Sequence, residues 1–73
     1  MLLQLTNAVG PLKGKPILIN FDQVVSVYRA TRYDNDNIEE EITYVYIPPH
    51  GNWEVLETPE EILKLSKGAK NGK

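Results

Sequence analysis

No cysteine occurs among the 73 residues, so neither a disulfide nor a cysteine-ligated metal can hold this chain together. A domain near this size buries only about 60% of the surface its unfolded chain exposes, which leaves a thin core. That core has to come from short apolar runs packed by alternation. By length the chain is expected to be a single domain. The absence of cysteine fits a reducing compartment. No apolar run approaches the roughly 20 residues a membrane-spanning helix needs. The opening Met1-Leu2-Leu3-Gln4-Leu5 lacks the basic and long apolar regions of a signal peptide. The expectation is therefore a soluble, cytosolic domain, with no membrane partner.

Leu2–Thr6 is a short apolar run, closed by Asn7 and the Gly10-Pro11 breaker. Lys13-Gly14-Lys15-Pro16 is a second turn signal. Ile17-Leu18-Ile19 reads as a strand buried on both faces or crossing the core. A tight connection with one aromatic, Asn20-Phe21-Asp22-Gln23, follows it. Residues 24–30 form the next strand. Val25, Val27 and Arg29 share a face that is mostly core, and Val24, Ser26, Tyr28 and Ala30 share the other. Residues 33–37 make a hairpin tip, because Asp and Asn mimic turn hydrogen bonds and tolerate left-handed geometry. The return strand spans residues 40–47, with Ile42, Tyr44 and Tyr46 opposite Thr43, Val45 and Ile47. A last strand spans residues 53–56, with Trp53 and Val55 inward.

Thr58-Pro59-Glu60-Glu61 is the sharpest local signal. Thr58 suits an N-cap, Pro59 the first helical position, and Glu61 completes a capping box. Ile62 and Leu65 supply the apolar stripe, and Lys64 and Lys67 suit the negative end of the helix dipole. Gly68 is expected to stop the helix. The domain is thus residues 1–67, with a flexible basic tail over 68–73. The fold class is α+β: a small, mainly antiparallel sheet of about five strands with one C-terminal helix.

Several chemistries are suggested by the sequence and rejected on spacing. Residues 10–15 resemble a phosphate loop but are one residue short, place Pro16 where Ser or Thr should bind magnesium, and precede a strand. Asp34-Asn35-Asp36-Asn37 begins like a calcium loop, yet Glu39 stands where glycine is needed and Val45 where the bidentate glutamate belongs. His50 is a lone histidine between proline and glycine, best read as a loop residue. Glu39, Glu40 and Glu41 read as a solvated strand start. No enzyme activity, cofactor, metal or small-molecule substrate is expected.

A net charge of −2 argues against direct nucleic-acid binding, whose footprint is usually strongly basic. The charges are nonetheless segregated. Asp34, Asp36 and Glu39 to Glu41 cluster in mid-chain; Lys64, Lys67, Lys70 and Lys73 gather at the C-terminus; Lys13, Lys15, Arg29 and Arg32 form a third group. Such polarity favours oriented docking on a charged partner. Tyr and Arg are enriched at interface hot spots. The tyrosines Tyr28, Tyr44 and Tyr46 serve either as cross-strand stabilisers or as a binding face. The candidate partner-binding residues are Arg29, Arg32 and Tyr33, extended by Lys13 and Lys15 if the two turns lie at one end of the sheet.

Three segments carry a resemblance: Leu5-Thr6-Asn7-Ala8, Lys15-Pro16-Ile17-Leu18-Ile19-Asn20 with Val24-Val25-Ser26-Val27, and Trp53-Glu54-Val55 with Thr58-Pro59-Glu60-Glu61-Ile62. Over residues 2–65 the chain resembles a family of short β-rich proteins that includes the flagellar FlbD-like proteins and many small phage proteins. The acidic hairpin departs from the FlbD-like pattern and argues against a flagellar role. The length and lysine-ended tail are similar to small phage transcription regulators. That resemblance implies a non-catalytic protein of host takeover that binds subunits of host RNA polymerase, inhibits initiation and promotes antitermination, meeting nucleic acid only indirectly. The alternative expectation is a structural or self-associating phage assembly module.

Overall fold

The computed structural model describes the backbone of residues 1–33 and 35–71, and their side chains as far as Gly68. The fold is α+β, with five strands in two antiparallel sheets and a C-terminal helix. Strands β1 (Leu2–Thr6) and β2 (Pro16–Asn20) form the first sheet, pairing Leu3 with Ile19 and Leu5 with Ile17. Strands β3 (Ser26–Tyr33), β4 (Glu39–Ile47) and β5 (Gly51–Val55) form a meander in the order β3-β4-β5. The end of β1 stitches the two together. Asn7 bridges Val55, Ala8 N–H donates to the Glu54 carbonyl at 3.0 Å, and Leu56 N–H donates to the Thr6 carbonyl at 2.9 Å.

Alternation along these strands produces the core. Leu3, Leu5, Ile19, Val45 and Val55 are buried together, and Ile62 from the helix α1 (Pro59–Asn71) closes them over. Full burial of each such aliphatic side chain contributes about 1.5–3 kcal/mol. Thr43 is the buried polar residue of this face, and its Oγ1 accepts a hydrogen bond from Arg29 Nη1 at 2.9 Å. The hairpin between β3 and β4 turns with Asn37 at a φ of 61°, a conformation that asparagine tolerates better than most residues.

The capping box forms as the sequence predicts. Glu61 N–H donates to Thr58 Oγ1 at 3.1 Å, and Thr58 N–H donates to Glu61 Oε1 at 2.8 Å. The Thr58 backbone N–H holds the Glu61 carboxyl below the usual glutamate range, helped by the Thr58 hydroxyl and the nearby Arg29 guanidinium. A depressed folded pKa means that this contribution to stability is present above the unfolded glutamate pKa, about 4.3, and is lost as pH falls through the folded value. Thr58→Ala, which removes the N-cap hydroxyl, should lower stability by about 1 kcal/mol, the usual scale for a lost cap, read as a drop in thermal midpoint at neutral pH. Glu61→Gln should flatten the acid limb of the stability–pH curve. An unchanged midpoint for the first variant, or an unchanged acid limb for the second, would show that the box contributes nothing.

Several expectations are corrected. Gly68 does not stop the helix, which runs on to Asn71. A helical glycine costs only about 1 kcal/mol relative to alanine, and Gly68 has no left-handed φ that would end the helix there. Gly72 and Lys73 of the expected tail lie outside the described residues, as does Asp34 of the hairpin tip. Leu18 is exposed, because alternation along β2 turns only Ile17 and Ile19 to the core and sends Leu18 to the face where Leu2 is also exposed. Val25 is 66% exposed and Val24 packs inward instead. The cause is a 3₁₀ turn over Phe21–Gln23, which delivers the chain to β3 only at Ser26, so the alternation does not reach back to Val25. Trp53 lies on the nominal inner face of β5 but is 44% exposed. That strand starts at Gly51 and ends at Val55, not over residues 53–56. Leu65 of the expected helix stripe is 45% exposed, leaving Ile62 as the buried anchor. Strand β3 continues to Tyr33, so Arg32 and Tyr33 are strand residues, not the start of the turn.

Candidate interaction surface

The extra length of β3 decides where the predicted site residues go. Positions 29 and 32 differ by an odd number, so their side chains leave opposite faces of the strand. Arg29 lies on the core-facing side of the hairpin, where its Nε stands 3.4 Å from Glu41 Oε1 while Nη1 holds the Thr43 hydroxyl. It is thus tied to the edge of the core. Tyr33 is on the same side of β3, two places beyond Thr31 and paired with Glu39; it is 60% exposed.

Arg32 is on the other side, with Tyr28, Ala30, Glu40, Ile42 and Tyr44. Its Nη1 donates to Glu54 Oε2 at 2.9 Å. Arg32 is in register with Glu40 and Glu54 with Tyr44, so this ion pair spans from β3 to β5 over Ile42, the β4 residue between them. Ile42 and Ala8 are buried on a face that also carries the exposed Tyr28 and Tyr46. Tyr28 and Tyr44 are direct cross-strand partners, their ring centroids 5.4 Å apart at 42°. Such a cross-strand aromatic pair stabilises the sheet.

Lys13 does come to this end of the sheet. Its Nζ donates to Glu40 Oε1 at 2.9 Å, and Ala8, Gly10, Lys13, Arg32 and Glu40 line a shallow cleft of about 200 Å³. The turn that brings it there uses Gly14 at a φ of 86°, with Gly14 N–H donating to the Asn7 carbonyl. Lys15 is exposed and makes no ion pair among the described residues. The structure therefore brings Lys13 and Arg32 together and sends Arg29 and Tyr33 to the opposite side. Each of Lys13, Arg29 and Arg32 faces a carboxylate of its own chain, so the surface is a mosaic of exchangeable ion pairs, not a basic patch.

Glu54 and Glu57 were not singled out from the sequence. Glu57 accepts from Thr6 N–H at 2.9 Å and from the Thr6 hydroxyl at 2.8 Å, a two-pronged clasp between the helix approach and β1. Nothing local marks either residue, since both roles depend on which strand lies opposite. Among the described residues, no group of three or more His, Cys, Asp or Glu side chains is placed to hold a metal. No helix among them is long and apolar enough to cross a membrane. Comparison with known protein families, curated proteins and solved structures gave no match.

Proposed function

We propose that this protein is a non-catalytic, phage-encoded regulator that docks on bacterial host RNA polymerase in the cytoplasm, inhibits initiation and promotes antitermination. It uses no cofactor and meets nucleic acid only through the polymerase. The observation that carries the docking part is the outer half of the β3–β4 hairpin. There an exposed aromatic, Tyr33, stands beside the Arg29–Glu41 pair on a body measuring 44 × 24 × 20 Å. An aromatic anchor beside exchangeable charges is the composition of an interface hot spot, whereas isolated rim charges contribute little. The polymerase part rests on the resemblance of residues 2–65 to small phage proteins, among them the transcription antiterminator of a Xanthomonas phage. A protein this small acts on so large an enzyme by occluding a surface or by biasing a conformational equilibrium.

Mixing the protein with purified bacterial polymerase and following co-elution, promoter-dependent initiation and read-through of an intrinsic terminator tests both parts. Co-elution with less initiation and more read-through is expected. Tyr33→Ala should weaken polymerase binding by about tenfold or more at unchanged thermal midpoint. Arg29→Ala should weaken both, because it also strips the buried Thr43 hydroxyl of its donor. Full affinity in the Tyr33 variant removes the hairpin from the interface. A protein that self-associates and ignores polymerase belongs instead to the assembly-module class.

A further inference from the structure

We infer that the free edge of β1, with the groove beside it, accepts an extended acidic and apolar segment of a partner protein as an added strand. The backbone supplies the first half of the case. Asn7 N–H donates to the Lys15 carbonyl and Phe21 N–H to the Met1 carbonyl, so the odd-numbered residues of this strand turn their main-chain groups towards β2. The even-numbered ones point the other way. At Thr6 and Ala8 that side is occupied by Leu56, Glu57 and Glu54. Strand β5 has ended by then and the chain departs into α1, so the N–H and C=O groups of Leu2 and Gln4 have no strand opposite.

Proteins normally blunt such an edge with proline, lysine or a bulge. The outer edge of β2 begins with Pro16, but Leu2 to Gln4 include no proline, lysine or bulge. Main-chain bonds to an open edge give affinity, and pockets for alternate side chains give specificity.

The groove supplies the second half. It holds about 650 Å³ between Leu2, Leu3 and Gln4 on the strand and Lys64, Leu65 and Gly68 on the helix. Leu2 is 63% exposed and Leu65 45%. A residue added opposite Leu3 would drop between Leu3 and Leu65, which calls for an apolar side chain. Two carboxylates also line the groove, and both are committed: Glu57 to Thr6, Glu61 to the helix cap. Lys64 makes no ion pair among the described residues, so the charge left on offer is positive. The complementary occupant carries a carboxylate on the same face as its apolar residues. A second copy of β1, Leu-Leu-Gln-Leu-Thr, has no such group and would leave Lys64 unmatched.

This rests on reading the protein as a docking module, and not on polymerase being the partner. The test is an amide NMR titration of the whole chain with the blocked peptide Thr-Val-Thr-Glu-Thr-Val-Thr. The amides of Leu2 and Gln4 should shift and gain protection from hydrogen exchange. Replacing the peptide's Glu by Lys should weaken binding about two- to fivefold, the scale of a partly exposed ion pair, and Lys64→Glu should reverse that preference. Gln4→Pro removes an outward N–H without touching the ladder to β2 and should weaken binding about tenfold. Leu65→Glu, at a half-exposed helix position on the far wall of the groove, gives the same loss should Gln4→Pro fail to fold.

No shift at millimolar peptide, shifts centred elsewhere, or affinity indifferent to both variants overturns the proposal. Protection of the Leu2 and Gln4 amides that rises with protein concentration alone also overturns it, in favour of a second copy. Peptide binding without polymerase binding sinks only the polymerase reading. Polymerase binding unaffected by Gln4→Pro and Leu65→Glu, with no peptide binding, sinks only the edge.

Discussion

Leu5→Ala is expected to lower stability by about 2–5 kcal/mol, enough to leave much of the protein unfolded at physiological temperature. Leu5 is only 1% exposed and belongs to the cluster where β1, β2, β4, β5 and the helix meet. The cost has two parts: the lost transfer of the side chain from water, and a cavity whose walls cannot close. Those walls are Leu3 and Ile19 on one ladder, Val45 and Val55 on another, and Ile62 on the helix. Both ladders are fixed by main-chain hydrogen bonds, so collapse around a missing isobutyl group would have to break register. Urea denaturation would show a midpoint shifted well below that of the parent. A shift worth less than about 1 kcal/mol would mean that the two sheets do not share this core, and that β1 and β2 are held to the meander only at Thr6 to Ala8.

The parts of the fold that depend on neighbours in sequence were legible. Alternation along β4 puts Thr43, Val45 and Ile47 on the face of the valines, and Thr43 and Val45 are buried there. The capping box at Thr58 and Glu61 forms with both reciprocal hydrogen bonds, because its geometry needs only one helical turn. What failed depends on neighbours in space. Leu18 and Trp53 have the composition of inward residues, but Leu18 lies on the face of its two-stranded sheet that also leaves Leu2 exposed, and Trp53, paired with Val45, stays 44% exposed. What covers each face is set by tertiary packing, which no local pattern encodes. Gly68 carries a stop signal that a helix can override for about 1 kcal/mol.

For the candidate surface, one boundary made the difference. Ending the third strand at Ala30 puts Arg32 and Tyr33 in a flexible turn, free to converge with Arg29. Continuing it to Tyr33 imposes a period of two, and Arg29 and Arg32 separate to opposite faces. The partners that neutralise them, Glu41 and Glu54, are set by cross-strand register, so the expectation of a basic patch had no way to include them. A meeting of Lys13 with Arg32 was expected only on the condition that the two turns lie at one end of the sheet. The intervening Glu40 was not.

Ile42→Ala should cost as much as Leu5→Ala, about 2–5 kcal/mol, although Ile42 lies on the face opposite the main core. It is fully buried there, while its same-strand neighbour Tyr46 is exposed. The strand register sets the Arg32–Glu54 bridge, whose charged ends meet at 2.9 Å, across Ile42, and stems of this length can shield apolar surface while their ends stay in water. As an isolated surface pair that bridge would be worth about 0–1 kcal/mol, since Arg32 is more than a third exposed and salt screens it. As a lid it also keeps water from Ile42, and the two contributions separate in a double-mutant cycle. Arg32→Ala should destabilise the parent more than it destabilises the Ile42→Ala variant, with a coupling of at least about 0.5 kcal/mol, the range found for residues in contact. Denaturation in high salt sharpens the result: screening removes the Coulombic part and leaves the packing part, so the coupling should survive salt that abolishes the ion pair's own contribution. Strict additivity would show that Ile42 is buried by the strands alone. Arg32 would then be a surface charge free to leave Glu54 for a partner's carboxylate.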